Sequence, residues 1–192
     1  MNTYVLHCLR PIQLALLLLC SLVASTLATE GKQYSMPEVK AAIMGKVCDF
    51  VEWPDYAFGK QPDDSLVFAI YGQSGISEAL ITMFTGKVIK GRAVKFVHVT
   101  GTIQADEYHI LYVASASAEQ LKKIIGEARK RPLLVVSDTD GFGEQGVHIN
   151  IRLIGTKVRF EINRAAVSDS PLKFSYQLME RAILVGGEED GE

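Results

Sequence analysis

VHINIRLIGTKVRFEIN, residues 147–163, alternates apolar and polar side chains on both sides of Gly155-Thr156. Period-two alternation marks a strand with one buried face, and a Gly-X pair suits the tight turn between antiparallel strands. The stretch therefore reads as a β-hairpin. In that register Leu153 faces Val158, Ile151 faces Phe160 and Ile149 faces Ile162, all on one side. His148, Asn150, Arg152, Arg159, Glu161 and Asn163 share the other side. The apolar side needs a core to lie against, while the polar side is left for water or a ligand.

Upstream the pattern changes. LVFAIY (66–71) and LLVVS (133–137) are continuous apolar runs bounded by turn residues, as strands covered on both faces are. VKFVHV (94–99) and HILYVA (109–114) supply two more short strands. Between them lie amphipathic stretches, one with Ile76, Leu80, Met83 and Phe84 on a single side and one over about 117–130. Near the front, Ser35-Met36-Pro37-Glu38 combines a capping serine, an early proline and a glutamate three residues on. Val39, Ile43, Val47, Phe50 and Val51 follow at helical spacing. Pro54 biases Trp53 away from helical geometry, so this helix is predicted to end near Glu52. A last helix is predicted over about 173–185. Apolar strands alternating with amphipathic helices predict a single-domain layered α/β sandwich with a mixed sheet, including the C-terminal hairpin and a closing helix.

The chain has 192 residues, enough for one well-cored domain. Lys+Arg 20 against Asp+Glu 22 gives a net charge of -2, without the basic excess of a nucleic-acid binder. Residues 1–28 read as a secretory signal peptide: Arg10 and the free amine, the run IQLALLLLCSLVA, then small residues up to Ala28. The competing reading, a membrane anchor, needs a longer apolar run than this one. Lipoprotein processing at Cys20 is disfavoured by the bulky Leu19. The predicted plan is a signal peptide (1–28), a flexible lead-in (29–34), the α/β domain (35–186) and an acidic flexible tail (187–192). Cleavage leaves Cys48 as the single cysteine, a free thiol with no internal disulfide partner. On its helix face Cys48 reads as a small buried hydrophobe.

YGQSGISEAL, a strand-to-helix turn, lacks the spacing of a phosphate loop. SDTDGFGEQG (137–146) gathers Asp138, Asp140 and Glu144 after a buried strand. Acid–base work by Asp138 and Asp140 and simple turn hydrogen bonding both fit it. Calcium does not, since Phe142 and Ile149 stand where an EF-hand loop needs ligands. His98, His109 and His148 form no metal or triad pattern, so neither metal nor cofactor is expected. Arg152 and Arg159 oppose one another across the hairpin, an arrangement that costs stability unless something relieves it. Glu161 is the diagonal neighbour able to do so. Two readings stay open, a solvated ladder and a docking place for an anion or a partner's carboxylates. Trp53, the only tryptophan, stands before Pro54 and reads as a structural plug of the opening helix, with partner binding as the alternative.

At FVEWP (50–54), SDTDGF (137–142) and KVRFEINRAAV…LKFSYQLMERAILV, the sequence resembles the YfiR family of secreted bacterial regulators. KAAIMGKVCDFVEWP matches the family's opening helix of the type KAAxxxxFxxFVEWP, and LVFAIYG its apolar strand ending in glycine. Gly91-Arg92-Ala93-Val94 matches a GRxV segment and HILYVA a short apolar strand. Family members frequently carry a cysteine where this chain has Tyr108. The resemblance implies a periplasmic α/β protein without catalytic activity, often dimeric. It would bind the periplasmic domain of an inner-membrane signalling protein and repress a diguanylate cyclase, lowering cyclic-di-GMP and biofilm formation. Arg152, Arg159, Glu161, Asp138 and Asp140 are the residues expected to meet the partner or a ligand. The alternative is a periplasmic small-molecule sensor using an anion-binding face.

Overall fold

The computed structural model describes residues 33–59 and 64–187. The chain divides into Met1–Tyr34 and Ser35–Glu192. Of the first unit only Gln33 and Tyr34 are described, and every helix and strand named below belongs to the second. The expected signal peptide, and the tail after Gly187, lie outside the described residues. From the amino end run α1 (Met36–Cys48), β1 (Val51–Glu52), a 3-10 turn (Asp55–Ala57), β2 (Leu66–Tyr71), α2 (Gly75–Phe84), β3 (Val88–Ile89) and β4 (Arg92–Val99). There follow β5 (Ile110–Val113), α3 (Ala118–Ala128), β6 (Leu134–Ser137), β7 (Ile149–Ile154), β8 (Lys157–Asn163), α4 (Arg164–Asp169), β9 (Lys173–Phe174), α5 (Tyr176–Arg181) and β10 (Ile183–Val185).

Eight strands make one mixed sheet in the order β10-β8-β7-β6-β5-β2-β4-β3, and β1 pairs with β9 apart from it. The stretch β4-β2-β5-β6-β7 is parallel throughout. Numbered among themselves, those five strands run 2-1-3-4-5, a doubly wound order. Alternation along each strand sorts the core into two layers. Leu66, Phe68, Ile70, Ile110, Tyr112, Leu134 and Val136 face Met44, Val47 and Leu80 of α1 and α2. Ala69, Tyr71, Leu111, Val113, Leu133 and Val135 face Leu121, Ile124 and Ala128 of α3. A helix on each face is what right-handed crossovers leaving β2 and β5 in opposite directions require.

Ser35 starts the first helix as the sequence predicts, and Asn163 caps α4. Ser35 and Glu38 close a capping box on α1, and Ser74 and Ser117 cap α2 and α3. Two boundaries differ from expectation. α1 ends at Cys48 rather than near Glu52, because Val51 and Glu52 extend to pair with Phe174 and Lys173. The helix expected over 173–185 is broken into β9, α5 and β10. Ser175 caps the short α5, Ala182 is extended, and Ile183–Val185 add to β8 as a parallel strand. The free edge of β8 competes successfully for those three aliphatic residues, which periodicity assigns to a helix.

Two histidines close the amino edge of the sheet. His109 Nδ1 accepts the Val67 N–H at 3.0 Å and its Nε2 contacts Ala57 O at 3.1 Å, which fixes the proton on Nε2. His148 Nδ1 accepts the Val135 N–H at 3.1 Å. Each ring stands just before its strand, β5 or β7, and adds one rung to the neighbouring ladder.

Gly45 lets α1 approach α2, since a Cβ there would fall inside the Phe84 ring. Gly45→Ala should lower stability by about 1–3 kcal/mol in urea unfolding, overriding the gain in helix propensity of about 1 kcal/mol. Burial pushes the His148 pKa down from 6.5 to about 4. The unfolded chain therefore binds a proton in that window that the folded chain refuses. Stability from this ring is complete above pH 6.5 and should fall by on the order of 3 kcal/mol as pH drops to about 4. Urea midpoints of the parent and of His148→Gln, measured from pH 7 to 4, should converge over this range.

Candidate functional site

The hairpin has the register that its alternation predicts, with Arg152 opposite Arg159 and Leu153 opposite Val158. Its neighbours then divide it in two. β6 pairs with β7 only at Ile149 and Asn150, and β10 pairs with β8 only from Glu161 to Asn163. Residues 151–160 therefore leave the sheet as a two-stranded arm, neither edge of which is paired among the described residues. Such a ribbon is marginal alone, and open edges invite pairing.

At the base of the arm the polar side is buried. The loop after β6 folds across it, driven by Phe142 and Val147, which join the core beside α3. Asn150 Nδ2 donates to Thr139 O and to Glu161 Oε2, both at 3.0 Å. Arg152 Nη1 donates to Glu161 Oε1 at 2.6 Å, and Asn163 Nδ2 to Gly143 O at 2.9 Å. Gly143 lies so close to the Glu161 carboxylate that a Cβ would collide with it. Glu161 is only 3% exposed, and donors meet both its oxygens, as burial of a carboxylate requires. Asp140 Oδ1 lies 3.3 Å from Arg152 Nε. The hydrogen bond and charge of Glu161, helped by Asp140, hold the Arg152 guanidinium above its ordinary range.

Asp138 belongs to a different group, on the α1 and α2 side of the sheet. Its Oδ1 accepts from the Tyr112 hydroxyl at 2.6 Å, and its Oδ2 pairs with Lys40 Nζ at 2.9 Å. The hydroxyls of Tyr112 and Ser74 are 2.9 Å apart. Burial, then Asp138, holds the phenol well above its ordinary value, so it acts as a donor. The group ties α1, the cap of α2, β5 and the end of β6 at the point where the parallel strand order reverses. Of the five expected residues, then, Asp140, Arg152 and Glu161 meet, Asp138 lies apart, and Arg159 is exposed. Among the described residues Arg159 has no ion pair.

The outer half of the arm was not among the expected site residues. Leu153 and Ile154 are 47% and 46% exposed, beside exposed Lys157 and Arg159. A sequence signal existed: the hairpin is longer than β6, so its end had no strand to rest on. The result is an apolar tip set among cations. Cavities of about 460, 320 and 270 Å³ open elsewhere, and none of the three is lined by Arg152, Arg159 or Asp138. Trp53 is half-buried against the core, its Nε1 donating to His109 O at 3.1 Å. Pro54, in extended geometry, opens the 3-10 turn. Cys48 is fully buried with Sγ 3.3 Å from Met44 O, and burial, then Asp49, pushes its thiol up to about 12. A thiol at that value is no nucleophile.

A family model described as YfiR/HmsC-like matches residues 37–182. No curated protein matches the chain.

The two facing arginines should behave differently on removal. Arg152→Ala leaves the buried Glu161 carboxylate short of a donor and should lower the urea midpoint clearly, with Glu161→Gln added to it restoring part of the loss. Arg159→Ala should stay within about 0.5 kcal/mol of the parent.

Proposed function

The chain belongs to the YfiR/HmsC-like family, and from that premise we propose that it grips the periplasmic domain of an inner-membrane signalling protein and holds a diguanylate cyclase inactive. The family is regulatory and non-catalytic, works in cyclic-di-GMP signalling, and its members are periplasmic. Among the described residues no helix is long and apolar enough to cross a membrane. The observation that carries the reading is the arm: exposed Leu153 and Ile154, flanked by Lys157 and Arg159, with both strand edges open among the described residues. An apolar patch bordered by charge is the usual form of a protein-docking surface, whereas a ligand site is a concavity. Lys157 and Arg159, exposed at the tip while Glu161 and Asp140 take up Arg152, favour an acidic partner surface. Repression then requires tighter binding to the cyclase's inactive state than to its active one.

The test is capture from membranes by the purified processed chain, together with cyclic-di-GMP in a deletion strain. Capture of a cyclase and a raised nucleotide level are expected; no membrane partner and an unchanged level reject the reading. Replacing Leu153 and Ile154 with serine should weaken capture at least about tenfold, since central apolar anchors carry most binding energy. Stability should change by no more than about 0.5 kcal/mol per site, and sedimentation should reveal whether a second copy competes for the arm.

A further inference from the structure

We propose that the cleft at the amino edge of the sheet binds a small uncharged organic molecule through a carbonyl oxygen received by His148. The cleft, about 460 Å³, opens between the end of α3, the loop at 144–146, α4 and Gly186-Gly187. That volume suits a metabolite-sized ligand. Its floor is made by Val135, Ala128, His148 and Asn163, all at 5% exposure or less.

One donor on that floor is unspent. His148 Nδ1 accepts the Val135 N–H, so the neutral ring carries its proton on Nε2. Among the described residues no group accepts that proton, and His148 is one of the residues that line the cleft. Asn163, beside it, is satisfied, its amide donating to Gly143 O and accepting from the Ala166 N–H. That donor is open to solvent, and a ligand oxygen in the cleft can take the place of the water that would otherwise meet it.

Charge decides the ligand class. Arg129 and Asp169 neutralise one another across the mouth at 2.9 Å. Lys130 and Glu144, both exposed on the rim, leave no net field to draw an ion in. A neutral donor among apolar walls receives a neutral carbonyl at less desolvation cost than a carboxylate. An amide or lactam with an apolar body, resting on Ile125 and Ala128, fits this floor.

The inference is independent of the regulatory reading, because it is tested on the purified chain alone. Benzamide and benzoate serve as probes, read by the His148 ring signals in NMR at pH 7. Benzamide should shift those signals saturably in the millimolar range, and benzoate should bind at least about tenfold more weakly. Ala166→Leu, which fills the cleft from α4, and His148→Gln should each weaken benzamide at least about tenfold, the latter read by backbone amides of the cleft. Ring signals unmoved by benzamide, equal or tighter binding of benzoate, or undiminished binding by a folded Ala166→Leu would each overturn the proposal.

Discussion

The Glu161 carboxylate, shut away from water, is the constraint around which the carboxyl-terminal half is arranged. A buried charge must be met by donors on every side that faces it. Arg152 comes from β7, Asn150 from the same strand one pleat earlier, and Gly143 lets the covering loop close over it without a side chain in the way. The same loop brings Phe142 and Val147 into the α3-side core. One carboxylate thus joins hairpin, loop and helix layer, and it relieves the repulsion that Arg152 and Arg159 would otherwise feel.

The two edges of the parallel sheet are finished by polar groups that do different work. At the carboxyl edge, Lys40, Ser74, Tyr112 and Asp138 lace four segments together where doubly wound folds commonly leave a binding crevice. Here the hydrogen bonds are spent on each other, so that edge is a clasp. At the amino edge, the imidazoles of His109 and His148 accept the strand amides of Val67 and Val135. His109 is satisfied at its second nitrogen by Ala57, whereas His148 faces a cleft.

The proposed docking surface lies on the part of the hairpin that reaches past the sheet. Beyond Ile151 the hairpin sends Val158 and Phe160 back against the core, yet its tip keeps Leu153 and Ile154 in water, and among the described residues neither of its edges is paired. A regulatory family without catalysis acts through surfaces of that kind, and the inert, fully buried Cys48 fits the same picture.

Much of this was legible in the sequence because it is periodic or local. The hairpin and its register follow from a strict two-residue alternation around Gly155-Thr156. The buried parallel strands follow from apolar runs too short to be helices, and the start of the first helix follows from its Ser35 cap. The end of the chain misleads because LMERAILV satisfies a helical period, while the free edge of β8, which turns Ile183–Val185 into a strand, is a property of the assembled sheet. For the site, the hairpin register made Glu161 the diagonal neighbour of Arg152, and their side chains do meet. The register had no means of bringing Asp140 to Arg152 while leaving Asp138 with Lys40 and Tyr112, because only Thr139 separates the two aspartates, which diverge to opposite faces of the sheet. The sequence determined which residues alternate, cap and turn, since those depend on neighbours along the chain. Tertiary structure alone decided which polar groups are buried, which charges meet and where the hairpin outruns the sheet, since those depend on neighbours across space.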